Sequence, residues 1–313
     1  MIEKKIGNIA VGAGVFIFGI NFVSMKFLIN YIPPFTLIFL RFAIASIFLC
    51  FIVNISAFKS KQYKQIHRQD KVLVMITGFL GVAIYYFFQG LALVYLSASL
   101  AALICAMIPI FTLLANVIIY KKKLELFLAG NFIVAILGVL LVLDIRIADI
   151  VDSSELIGCI FMLLAVFSWI AYTMKTYELQ KKYDSIYLLY KQTLAGTMVL
   201  LVVALFDSAR AVEVFQQEGD ILVPLVGNLL FVGIICSALG YLFYIYGMEK
   251  VGVEIASLYM NLIPAVTAIA SYFILNEPMT TKKVLGIIIV ISSLYAVGLR
   301  DWIISRRGVK STY

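Results

Sequence analysis

The residues best fitted to bind a solute are few, and they lie inside long apolar runs. Arg41 stands several residues into one run, and Lys191 mirrors it in another. A cation at such a depth is costly in hydrocarbon and is expected to face a cavity or a partner. The alternative is a stem that snorkels its charge to the nearest headgroup layer. Lys26 lies near the end of its run, on the side poor in other cations, which suits binding or pairing with a loop carboxylate. Uncharged groups at mid-depth complete the set: Asn21, Tyr86 and Gln89 early in the chain, then Trp169, Tyr172, Tyr241, Tyr259 and Asn261. Each can hydrogen-bond a polar solute while its ring or stem covers an apolar part. Ser24 and Asn116 are read instead as links between helices, bonds of about 0.6 kcal/mol each, and Tyr244 as part of an interfacial belt.

What is missing bounds the chemistry further. There is no HExxH, nucleophile elbow, P-loop or cluster of His, Asp and Glu, so no catalysis, metal, cofactor or direct use of ATP is expected. The single histidine, His67, falls in a polar loop, and no Asp or Glu lies deep in any run. A carboxylate or histidine proton relay is therefore not visible, and the charge balance favours zwitterionic, neutral or anionic solutes. The four cysteines sit in apolar runs without metal-ligand spacing and read as small core residues.

The elements that hold these residues follow from composition. Of 313 residues, 63% are hydrophobic and 13% charged, and the apolar residues fall in runs of about twenty, the length of a membrane-crossing helix. The expected spans are 7–28, 35–55, 71–92, 96–119, 126–143, 156–176, 185–206, 222–245, 253–275 and 281–299, ten in all. With the N-terminus inside, eighteen Lys and Arg fall in inner segments against five in outer ones, which places both termini in the cytoplasm. The net charge of +8 is thereby explained by loop placement, and no nucleic-acid partner is implied.

Two prolines interrupt otherwise apolar spans. Pro109 and Pro264 superpose at a common offset, and with them Ala101 meets Ala256, Ile108 meets Ile263 and Thr112 meets Thr267. "FGINFVSMK" (18–26) likewise answers "FSWIAYTMK" (167–175), aligning Lys26 with Lys175. Five spans per repeat is an odd number, so the second copy enters the membrane from the opposite side, as in many secondary transporters. The expected architecture is all-α, with ten transmembrane helices in two inverted five-helix repeats, 1–150 and 151–313. Each proline should free a carbonyl, at Cys105 or Met260, and kink its helix beside a central cavity.

In these features the sequence resembles the EamA-type branch of the drug/metabolite transporter superfamily. "FGINFVSMKFL…IPPFTLIFLRF", "GLALVYLSASLAALICAMIPIFTLL" and its echo "YGMEKVGVEIASLYMNLIPAVTAIASYFILNEPMTTKKVLG" carry the resemblance in order. It implies ten helices in two inverted halves, residence in the cytoplasmic membrane, and export of amino acids or other small metabolites. Lys26, Arg41, Pro109, Pro264 and Glu277 match the family's pattern, whereas Lys122 stands where its counterpart in the second half is Glu277. The expected function is secondary transport of small polar metabolites by alternating access, foremost as an amino-acid exporter. A multidrug exporter of the same fold is the near alternative, and a lipid-handling protein or channel the distant one. The expected partners are a small-molecule substrate and the bilayer, with the protein a monomer or homodimer.

Overall fold

The computed structural model describes residues 2–58, 63–96, 98–121, 126–143, 153–206, 222–275 and 279–306. Among them no strand occurs and nearly every residue is helical. An unpaired backbone N–H or C=O is expensive in hydrocarbon, so apolar runs of this length become helices, which satisfy those groups internally. The helices are α1 (Ile2–Ile29), α2 (Pro34–Phe58), α3 (Arg68–Tyr95), α4 (Ala98–Cys105), α5 (Ile108–Tyr120) and α6 (Leu126–Leu143). There follow α7 (Ser153–Gln180), α8 (Ser185–Ala204), α9 (Leu222–Val251), α10 (Val253–Tyr259), α11 (Leu262–Leu275) and α12 (Thr281–Arg306). Among the described residues, eight stretches are long and apolar enough to cross a membrane, two of them the broken helices spanning Leu100–Ile119 and Val253–Ile274. The chain is a multi-pass membrane protein.

Two features depart from the expected spans. The helices outrun the expected spans: α1 begins at Ile2 and α9 runs to Val251, because good helix formers continue the ladder beyond the apolar run. The spans expected as 96–119 and 253–275 are each two helices, interrupted at Ala106–Met107 and at Met260–Asn261. Pro109 and Pro264 lie in the first turn after each break, where a missing N–H costs nothing. The Met260 carbonyl is not left free, for it accepts from the Ile263 amide at 3.0 Å.

Helix ends are set locally. The Asp184 carboxylate accepts from the amides of Ile186 and Tyr187 at the start of α8, a standard N-cap. Gly252, at φ 90°, separates α9 from α10 in a conformation other residues resist.

Packing is mostly between the front and back of the chain. α1 lies along the last turns of α9 and along α11, α2 along α8, α3 along α7, and α6 along α12. Small residues let backbones close up: a Cβ at Gly247 would lie 2.6 Å from the Gly7 carbonyl oxygen, and one at Gly286 2.5 Å from that of Gly138. Exposed Phe16, Ile47, Phe51 and Phe273 face outward, as lipid contact requires.

Candidate functional site

Each half of the chain carries a π-helical stretch that sequence inspection does not reveal, Phe79–Ile84 in α3 and Phe231–Gly240 in α9. A π turn widens the helix and disturbs the usual backbone pairing, and hydroxyls compensate, from other helices in α3 and from within the stretch in α9. Ser168 donates to the Leu80 carbonyl at 2.7 Å, and Tyr241 to that of Gly81 at 2.9 Å. Ser237 donates to the Val232 carbonyl at 2.8 Å. The Ser168 and Tyr241 bonds clamp α3 to α7 and α9.

A cavity lies at this junction, lined among others by Phe18, Asn21, Tyr86, Gln89, Trp169 and Met260. Side chains nearly fill it, leaving about 10 Å³, room for about one water at most. The helix break before Pro264 reaches the wall through Met260 and Ile263, and the break before Pro109 reaches it through Ile108. Aromatic rings of Phe18, Phe22, Tyr85, Tyr86 and Trp169 make most of the remaining surface, and Trp169 packs against Tyr85 at 5.0 Å and, behind the wall, against Tyr241 at 5.4 Å, Tyr172 at 5.5 Å and Tyr244 at 5.5 Å.

Several polar groups here are buried without partners. Among the described residues, Asn21 Oδ1, Gln89 Oε1, Thr112 Oγ1, Trp169 Nε1 and both amide atoms of Asn261 find no hydrogen-bond partner. Buried polar groups are nearly always paired, and each exception calls for an explanation. Gln89 Nε2 does donate to the Tyr85 hydroxyl at 3.0 Å, which fixes the side chain with its other end unbonded.

Arg41 is the sharpest case. Its side chain is 0% exposed, so it does not snorkel. Nε donates to Ser237 Oγ at 2.8 Å, the guanidinium carbon lies 4.5 Å from the centre of the Tyr86 ring and 5.1 Å from that of Phe42, and Nη1 has no hydrogen bond. Among the described residues no carboxylate pairs with it. Tyr86 touches both the cavity and the guanidinium, and so stands between them.

Of the ten residues singled out by sequence, Asn21, Tyr86, Gln89 and Trp169 line the cavity. Arg41, Tyr172 and Tyr241 form the layer behind it through ring contacts with Tyr86 and Trp169. Asn261 is fully buried at the second helix break. Two lie apart. Tyr259 packs near Gly12 on α1, half-buried. Lys26 does not line the cavity and, among the described residues, meets no loop carboxylate; it donates to the carbonyls of Leu93 and Leu96 at 2.9 and 3.2 Å, neutralising the negative end of α3. Lys122 and Glu277 fall outside the described residues. Ser237, Tyr85 and Phe18 were missed, and only the glycines at 81, 233 and 240 hint in the sequence at the irregular backbone nearby.

The EamA-like transporter family pattern matches residues 5–144 and again 156–299. An uncharacterized transporter from Archaeoglobus fulgidus is 28% identical over 279 residues, covering 89% of this chain and 94% of the relative. The uncharacterized transporter YcxC of Bacillus subtilis is 26% identical over 277 residues, covering 87% and 86%. A solved structure, titled only as the crystal structure of a protein, superposes with a TM-score of 0.72 at 14% identity, covering 92% of this chain and 95% of its own, and so shares the fold. With a family match in each half of its length, the chain belongs to the EamA-like transporter family.

Proposed function

We propose that this protein is a secondary transporter that carries small polar metabolites, foremost amino acids, out across the cytoplasmic membrane by alternating access. In this reading α6 and α12 also cross, giving ten spans with both termini cytoplasmic, and 1–150 and 151–313 are inverted repeats. The packing supports it: α1 with α9 is answered by α7 with α3, while α2 with α8 and α6 with α12 answer themselves. That is the pattern a pseudo-two-fold axis between the halves produces. The narrow central cavity then represents a closed state, which must widen to admit a solute.

The observation that carries the substrate class is the buried, partly unbonded guanidinium of Arg41. A desolvated cation without a counter-charge is strongly unfavourable, and a carboxylate arriving with the solute would supply one once the Tyr86 ring swings aside. The unbonded amide oxygens of Asn21 and Gln89 suit an ammonium, and the surrounding rings suit both a cation and an apolar body. A cationic drug would gain no anion from this site.

The test is counterflow in proteoliposomes with a panel of radiolabelled amino acids, their methyl esters, sugars and nucleosides. The reading requires saturable exchange of amino acids and none of their esters. Non-saturable flux, or exchange of esters as good as that of free acids, would refute it.

A further inference from the structure

A second cavity lies away from the central one, between the start of α3 and the first turns of α8. It is an open cavity of about 430 Å³, lined by Gln65, Ile66, Lys71, Val74, Met75, Tyr187 and Lys191. Its walls carry two cations from different helices and no carboxylate. The nearby acids are engaged elsewhere: Asp70 accepts from Tyr183 at 2.7 Å and from Lys182 at 3.2 Å, and Asp184 caps α8. Lys191 is held by tyrosine rings, its ammonium 5.4 Å from the centre of Tyr187 and 5.1 Å from that of Tyr190. Those faces keep the charge at the pocket wall, yet they leave its N–H donors available, as the ion pairs among the described residues do not include Lys191 or Lys71.

Below the cations the surface is apolar. Val72, Met75, Ile76 and Phe79 are exposed at 63, 62, 47 and 42%, and their spacing of three and four places them on one face of α3. Lys71 stands one turn above Met75 on that face. Charge at the rim and a hydrocarbon-facing strip beneath it reproduce the two ends of a phospholipid. The same polar segment also holds Lys59, Lys61, Lys64 and Arg68, the cation-rich kind that faces the cytoplasm, where the leaflet is anionic.

We infer that this pocket binds the headgroup of an anionic phospholipid, its phosphate between Lys71 and Lys191 and its acyl chains along Val72, Met75 and Ile76. Because α3 and α8 belong to different halves of the chain, such a lipid would wedge at the seam on which the halves move against each other. The site does not depend on what the central cavity carries.

The experiment is native mass spectrometry of the full chain released from vesicles holding equal amounts of phosphatidylglycerol and phosphatidylcholine. Wild type should retain phosphatidylglycerol in preference to phosphatidylcholine. Lys71→Gln or Lys191→Gln should each weaken retention about fivefold, and the pair about thirtyfold, at about 1 kcal/mol per cation. The paired Lys71→Arg and Lys191→Arg change should keep it, which controls for folding. Retention within twofold of wild type in the paired Gln variant, or equal retention of phosphatidylcholine, would overturn the site. Displacement of the lipid by the same concentration of glycerol phosphate would make it a site for soluble phosphates and overturn the lipid assignment.

Discussion

The two halves of this protein share a plan and differ in where they put charge. Each has a helix broken just before a proline, a π turn in its third long helix, and a side chain at the end of its first helix that binds carbonyls near the end of the third. In the first half that side chain is Lys26, donating to Leu93 and Leu96. In the second it is Gln180, donating to the Ile245 carbonyl at 2.8 Å and to Ser185, which in turn donates to Glu249. The cations in the second helices differ more: Arg41 is sealed beside the central cavity, whereas Lys191 lies on tyrosines at an open pocket. The shared features are mechanical and the unshared ones are electrostatic. In the proposed transporter, symmetry would supply two packings of similar energy, and asymmetry something for a solute to recognise.

The comparison breaks most readily at Arg41. Arg41→Gln should lower exchange of carboxylate-bearing solutes about ten- to hundredfold, the loss of a charge-assisted pair. Arg41→Leu should do the same while the thermal midpoint in detergent holds or rises, since a buried charge without a partner is no aid to stability. A variant that transports normally would place recognition elsewhere.

The mechanical likeness is tested by glycine. Gly7→Ala and Gly247→Ala should each destabilise by about 1–3 kcal/mol, because the added methyl meets the facing helix. Gly130→Ala and Gly227→Ala, with open space at the Cβ position, should be neutral or gain up to about 1 kcal/mol from helix propensity. Thermal unfolding of the four variants orders them.

Smaller effects sharpen the picture. Asn21→Ala should raise the half-saturating solute concentration about fivefold in counterflow and leave stability intact, because its amide oxygen has no internal bond to lose. Gln180→Ala and Lys26→Ala each delete hydrogen bonds to carbonyls and should cost about 1 kcal/mol, seen as an earlier unfolding midpoint.

Much of the fold was legible because it rests on local signals: apolar run length gave most spans, and proline gave the place of both helix breaks. What escaped depends on contacts between distant residues. The π turn of α3 is stabilised by the hydroxyls of Ser168 and Tyr241, which lie far along the chain, so no window of α3 contains its cause. The depth of Arg41 could not be read because helix phase relative to Ser237 decides between snorkelling and burial. Lys26 had the right composition for a ligand group, but its partners are backbone carbonyls, which no residue code displays. Pairing it with Lys175 by sequence also misled, since Lys175 bonds Glu178 on its own helix and Gln180 makes the corresponding link.

The most direct test measures both ends of the molecule at once. Spin labels at Asn30→Cys with Tyr95→Cys, and at Lys181→Cys with Tyr246→Cys, would report distances near the Lys26 and Gln180 links in a chain freed of its four native cysteines. Alternating access predicts that adding a transported amino acid shifts the two distance distributions in opposite senses. If both widen together, or neither moves while counterflow proceeds, the rocking of two inverted halves is contradicted.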